Sequence, residues 1–504
     1  MKIDDPVGNR KKHGYKRLIA NRGEFGWPIL LGVVLALTGI WLNTQKPSFP
    51  TSPSHEFPAF QTLELKVSSK GMWRLQARRE KALKEEILQR GPNDWVGGQL
   101  IDEGQSIPVR LRLKGDWTDH LQAGKWSFRV QVKDTLAYRR LKVFSLQSPR
   151  TRSFLEEWYF HQALLAEEVL TPRYDFVRLH LNGADLGIYA LEEHFSKEMV
   201  EAQHHREGPL LKFNEDGMWE ARQKAIADPD LPFMDLPLYE AAQPEAFGFN
   251  RILADPQQYS LHQQALAAIH QYKYDQAPAG ELFDLKNMAR AYALIDLFRA
   301  HHCLIWHNRR FYWEPLHARL LPVIYDGFSG DVSGQYLHGP FTGYGANGTT
   351  YYDGRMDRLG ATFLAEPTFV TAYYQYLHAF TTPSYLDSLE SRFRQGLQDR
   401  ERYVRQEYFF YQFPYAKIRE QAAEIRTGLS LDHGELVADT TGCLHNYHPV
   451  ALEVTSTHPQ EKTGSISFLN AYDGQGPAAQ MDWDGGGILW LRIPGGTWQE
   501  WTPN

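Results

Sequence analysis

Apolar and polar positions follow two periods along this chain, and the switches between them mark its elements. Residues 62–67 (TLELKV) alternate and predict a strand, as do 108–115 (PVRLRLKG), 125–132 (KWSFRVQV) and 139–146 (RRLKVFSL). In the second of these, Val109, Leu111 and Leu113 take one face and Arg110, Arg112 and Lys114 the other, with Lys125, Arg129 and Lys133 adding positive charge. Such a face is either a solvated sheet surface or one turned towards phosphate. Two more alternating runs flank Asn182-Gly183, the pair best suited to a two-residue hairpin, and end at Glu192-Glu193. Lys212 follows in an extended piece, LLKFN (210–214). A glutamate and a lysine on neighbouring strands either orient a triphosphate or form an ordinary ion pair.

Helical spacing predicts a charged helix at 74–89, another at 151–169, one near 260–271 within an insertion (218–280), and two at 368–380 and 386–420. The stretch 283–330 combines both periods. Met288, Ala291, Leu294, Ile295 and Phe298 line one helical face behind Asp284, which is placed to cap it. A loop rich in His and Asn follows, then extended runs at 310–313 and 320–325, and Asp326-Gly327 closes the second. Past Leu431 the period returns to two, with strands expected at 434–438, 450–456, 464–469 and 488–493 in a small, sandwich-like β domain.

Composition narrows the picture. A chain of 504 residues with 13% aromatics builds a sizeable core, and a formal charge of -6 gives no global signal for nucleic acid. Two cysteines, Cys303 and Cys443, make no disulfide framework. Residues 25–42 carry no charge over eighteen positions, enough to span a bilayer. Seven Lys and Arg precede them (Lys2, Arg10, Lys11, Lys12, Lys16, Arg17 and Arg22), which predicts a single-pass anchor in a bacterial inner membrane. The N-terminus is then cytoplasmic and the bulk of the chain extracytoplasmic. A cleaved signal peptide is the rival, but no Ala-x-Ala site ends the apolar run. The expected organisation is a basic segment (1–24), an anchor (25–42), a linker (43–60), an α+β domain (61–425) and the small β domain (426–504). No nucleotide-binding glycine fingerprint, zinc motif or nucleophile elbow is present. Eight glycines lie between 327 and 354, and Asp331, Asp353 and Asp357 nearby are either turn residues or helpers of a cation.

The ordered set RLRLKG (110–115), KWSFRV (125–130), NGADLGIYALEE (182–193), LLKFN (210–214), FDLKNMARAYAL (283–294), HNRRFYW (307–313) and LLPVIYDG (320–327) resembles the CotH family of spore-coat-protein-like kinases over about residues 100–410. The resemblance implies an atypical protein-kinase-like fold using ATP with Mg2+ (or Mn2+). It places Glu193 and Lys212 in the nucleotide pocket, and Asn308 and Asp326 on the metal. The family's catalytic aspartate, five residues before the asparagine, falls on Cys303, and its second acidic residue falls on Phe328. His301, His302 and His307 are the nearby groups able to take a proton near neutral pH.

Three functions follow. The first is an anchored, degenerate kinase with a structural or assembly role in the cell envelope. The second is an active, divergent kinase acting on protein or glycan hydroxyls. The third is a carbohydrate- or protein-binding surface module. Cys303 at the aspartate position and the scarcity of ATP outside the membrane favour the first.

Overall fold

The computed structural model describes residues 60–328 and 362–502, except 92, 123, 134–136, 232–234, 440, 449, 460–464, 470–477 and 484–487. The expected anchor at 25–42 lies outside the described residues, as do Asp331, Asp353 and Asp357. Among the described residues no helix is long and apolar enough to cross a membrane.

The architecture is mixed α+β. Its first half is a closed barrel of β1 (Thr62–Val67), β2 (Val96–Asp102), β3 (Gln105–Leu113), β4 (Phe128–Val132), β5 (Val143–Gln147), β6 (Tyr174–Leu181) and β7 (Ala184–Glu193). The order around the barrel is β1-β2-β3-β4-β5-β7-β6, and parallel pairing of β1 with β6 closes it. Alternation supplies the reason for its packing: Val109, Leu111, Phe128 and Val130 are wholly buried, while Arg110, Arg112, Arg129 and Gln131 point the other way. At the β6–β7 turn both Asn182 and Gly183 have positive φ, as the dipeptide predicts. Strand β2 escapes the pattern because Gly97-Gly98 interrupts its alternation.

Helices α1 (Ser69–Glu85) and α2 (Leu155–Ala166) interrupt the barrel in sequence, and α3 (Lys197–Ala202) follows it. A second antiparallel sheet has the order β11-β10-β8-β9, from β8 (Leu210–Phe213), β9 (Pro244–Ala246), β10 (Arg310–Glu314) and β11 (Arg319–Pro322). Between β8 and β10 run α4 (Asp216–Ala227), α5 (Asp235–Ala241), α6 (Phe249–Leu253), α7 (Pro256–Lys273), α8 (Ala279–Leu282) and α9 (Leu285–Phe298). Helix α9 starts where its cap predicts: the Asp284 carboxylate accepts the Asn287 N–H at 3.0 Å. It is buried almost all round, through Ala289, Ala293 and Leu297 as well as the expected stripe. Helices α10 (Pro367–Phe380), α11 (Pro383–Val404) and α12 (Tyr415–Gly428) complete the helical part.

The C-terminal strands are β12 (Leu436–Ala438), β13 (Cys443–Asn446), β14 (Leu452–Thr455), β15 (Ser467–Leu469), β16 (Ala479–Asp482), β17 (Leu489–Arg492) and β18 (Gln499–Trp501). They form one sheet of order β12-β13-β16 and another of order β15-β14-β17-β18. Leu452, Val454, Leu489 and Leu491 belong to the same apolar core as Tyr374 and Leu377 of α10, and the Ala451 N–H donates to the Tyr374 hydroxyl at 3.1 Å. The strands expected as a separate domain therefore continue the core of the helices.

Candidate functional site

Two walls face each other across a cavity of about 640 Å³. The first is the outward face of the barrel: Arg112 on β3, Arg129 on β4 and Glu192 on β7, turned there by the parity that buries Leu111, Val130 and Leu191 on the other side. Lys114 follows β3, and a short turn, Pro149–Arg152, brings in Arg152. The second wall comprises Lys212 on β8, Arg310 on β10, Glu215, the turns His301–Leu304 and Trp306–Asn308, and Asp326 beyond β11. A cavity of this size suits a nucleotide-sized ligand.

Its charge is one-sided. Among the described residues ten Lys and Arg line it against six Asp and Glu, on a chain whose formal charge is -6; three of the cations, Lys197, Lys212 and Arg251, pair with Glu207 and Glu245, which do not line it. Arg112 and Arg129 stand directly opposite each other in the β3–β4 register, an unfavourable placement for like charges. Burial, together with the neighbouring Arg129 and Arg90, pushes the Arg112 guanidinium down to about 10. Burial brings Arg129 to about 10 as well, against the pull of Glu192. Arg112 donates to the Leu113 carbonyl, Arg129 contacts His194 Nδ1, and Arg310 donates to the His307 and Arg309 carbonyls beneath the rings of Phe195, Phe247 and Tyr325. Among the described residues, none of these three guanidinium groups lies within ion-pair distance of a carboxylate. Cations so placed favour an anion arriving from outside.

Lys114 is the most constrained cation. Its Nζ lies 3.4 Å from Glu192 Oε1 and also donates to Gln147 Oε1, while Gln147 Nε2 donates to Glu192 Oε2 at 3.1 Å. Burial lowers the ammonium to about 8; Glu192 opposes that shift, and Arg152 and Arg129 add to it. Farther along, Arg90 lies 3.3 Å from Asp116 and 3.4 Å from Glu215, and His307 Nδ1 is 3.6 Å from Glu215. Burial alone would raise Glu215, but the nearby His307 and the charges of Arg90 and Arg310 hold it well below the usual carboxylate range.

Asp326 sits in the left-handed region, φ +58°. The chain beyond it is tightly held. A Cβ on Gly327 would come within 2.8 Å of Ala300 and 2.9 Å of the Phe160 ring, so only glycine fits there. The wholly buried Glu157 accepts the N–H groups of Gly327 at 3.2 Å and Phe328 at 3.3 Å, and His161 Nε2 lies 2.9 Å from the same carboxylate. Arg152 pairs with the Asp326 carboxylate: Nη2 donates to Oδ2 at 2.9 Å, and Nε lies 2.7 Å from Oδ1 as an ion-pair contact outside hydrogen-bond geometry. His302 Nδ1 lies 2.9 Å from the Asp326 carbonyl, 3.0 Å from Oδ1 and 3.3 Å from Asn308 Nδ2. Asn308 Nδ2 donates to the His302 carbonyl at 3.0 Å. Burial would raise Asp326, yet Arg152, His302 and Lys114 outweigh it and hold the carboxyl well below its ordinary value.

Of the residues expected from sequence, Lys212, His302, His307, Asn308 and Asp326 all line this cavity. Lys212 also pairs with Glu245 at 2.6 Å. Glu193 does not line it. In β7 it lies on the face opposite Glu192 and is bound by Arg173 at 2.6 and 2.8 Å, so its neighbour takes the cavity position. Cys303 is not on the cavity either; its buried thiol donates to the Ala300 carbonyl at 3.0 Å, and burial pushes it well above the ordinary thiol value. The pairing of β7 with β5, Ser145 opposite Glu192, is the signal that separates the two glutamates. Arg152 carries no local signal, since Asp326 lies 174 residues away, and Glu157, whose local partner is His161, shows nothing of its equally distant bonds to Gly327 and Phe328.

The triphosphate of ATP fits Arg112, Arg129 and Arg310, which have no ion pair among the described residues. A divalent cation fits less well. Among the described residues no group of three His, Cys, Asp or Glu is arranged to hold a metal, and both Asp326 oxygens are engaged by Arg152. No family model matches the chain, and no curated protein matches it.

Proposed function

We propose that this chain is a membrane-anchored, extracytoplasmic CotH-like protein that binds a polyphosphate ligand of the nucleoside triphosphate class and does not pass the phosphate on. The observation that carries the reading is the cationic surplus of the cavity on a chain that is acidic overall, with Arg112, Arg129 and Arg310 outside ion-pair distance of any carboxylate among the described residues. Loss of transfer is supported by Cys303, a buried thiol held by the Ala300 carbonyl at the position where the family resemblance expects the proton-accepting aspartate. The charge-free run at 25–42 behind its basic leader supports the anchor. Ligand binding without transfer suits a structural or assembly role at the cell envelope.

The test is calorimetric titration of ATP and pyrophosphate into the full chain in detergent micelles, followed by a labelled-phosphate assay against envelope proteins and glycans. Saturable binding without transfer is expected. Failure of the folded chain to bind either anion overturns the reading and leaves the surface-binding module. The contact of His302 with Asp326, with Asn308 bound to His302, favours one second reading, an active kinase with histidine as base. Transfer that disappears in His302→Ala would select it.

A further inference from the structure

Resting on the reading of this cavity as a polyphosphate site, we infer that the ligand is held without a divalent cation, Arg152 supplying from within the chain the positive charge that a metal would bring to Asp326. The guanidinium lies 2.7 and 2.9 Å from the two carboxylate oxygens, its Nη2 donating to Oδ2, and His302 adds a contact to Oδ1 at 3.0 Å. Magnesium makes bonds of about 2.0–2.1 Å to carboxylate oxygens in near-ideal octahedral geometry, so at Asp326 it would have to come in beside the Arg152 and His302 charges that already flank the carboxylate.

Displacing Arg152 is unfavourable. The residue is 8% exposed, and its Nη1 donates to the Thr151 carbonyl at 2.8 Å. Pushed off Asp326 it becomes a buried cation beside the arriving dication, with Lys114 close to the same carboxylate. Arg112, Arg129 and Arg310 remain to meet the ligand's negative charge directly.

A consequence separates this arrangement from a metal-dependent one. Complexation by Mg2+ removes two negative charges from ATP, so a purely cationic site binds the free nucleotide more tightly than the complex. The experiment titrates ATP and pyrophosphate into the full chain in EDTA, and again in excess Mg2+ or Mn2+. Binding in EDTA that weakens or stays unchanged with metal is the expected result. Binding that requires metal overturns this inference and leaves the polyphosphate reading standing. No binding in either arm overturns both. Arg152→Gln, checked for folding by circular dichroism, supplies a second readout. Its affinity in EDTA should fall by about tenfold or more, and added Mn2+ should recover part of the loss by using the freed Asp326. Wild-type affinity in EDTA for a folded Arg152→Gln also overturns it; if that variant does not fold, the two wild-type arms decide alone.

Discussion

Lys114 sets the pH range over which this cavity is fully cationic. Its folded value of about 8 lies below the ordinary 10.5, chiefly through burial and against the pull of Glu192 and Asp326. A bound anion favours the charged lysine and raises its value in the complex. Anion affinity is therefore complete below about pH 8 and declines as pH climbs above it. Titration of pyrophosphate between neutral and mildly alkaline pH should show that decline, and Lys114→Arg should remove it; an unchanged profile in the arginine variant would discount Lys114 as the titrating group. Glu192→Gln removes the carboxylate that keeps Lys114 protonated, so the decline should begin at lower pH. Glu193→Gln should do something different. That side chain is bound by Arg173 away from the cavity, so stability in urea should fall by about 3 kcal/mol with affinity nearly intact. Adjacent glutamates with separate consequences are what strand parity imposes. Sequence makes both visible at the end of β7 but does not say which face meets the ligand, because the facing depends on pairing with β5, about 45 residues upstream.

Among the elements, those specified by neighbouring residues were legible. The β6–β7 hairpin follows from Asn182-Gly183, and the start of α9 follows from Asp284. What joins distant elements was not. Parallel pairing of β1 with β6 brings residues 62–65 beside 178–181, and Arg152 reaches Asp326 across 174 positions. No periodicity encodes either contact. Asn182 links the two categories: its Oδ1 accepts the Val67 N–H at 2.8 Å and its Nδ2 donates to the Val67 carbonyl at 2.9 Å, tying the hairpin turn to β1. Asn182→Ala should cost about 2 kcal/mol in urea unfolding through those two hydrogen bonds, and Gly183→Ala about 1 kcal/mol through its positive φ. Asn182→Gly keeps the turn conformation and loses the bonds. If it proves as stable as wild type, the tie to β1 contributes nothing to barrel closure.

At the scale of the whole molecule, the C-terminal strands decide whether the folded body behaves as one unit. Their alternation suggests an independent small domain, because a two-period pattern records which side is buried but not what buries it. In the structure Leu452, Val454, Leu489 and Leu491 belong to the same core as Tyr374 and Leu377 of α10, and Ala451 is hydrogen-bonded to Tyr374. Fully burying each such leucine or valine is worth about 1.5–3 kcal/mol, so removing four of them exceeds much of the 5–15 kcal/mol that holds a typical domain folded. Scanning calorimetry of the full chain should accordingly give one cooperative transition for the barrel, helices and C-terminal strands together. A chain ending after Ser430 should be strongly destabilised and should lose anion binding although no cavity residue is removed, because α10 packs on α9 and α9 leads directly into the turn that carries His302 and Asn308. Two separate transitions, or a truncated chain that binds pyrophosphate normally, would instead make the strands an appended domain. The cavity would then depend on α9 and α10 without the sheet behind them.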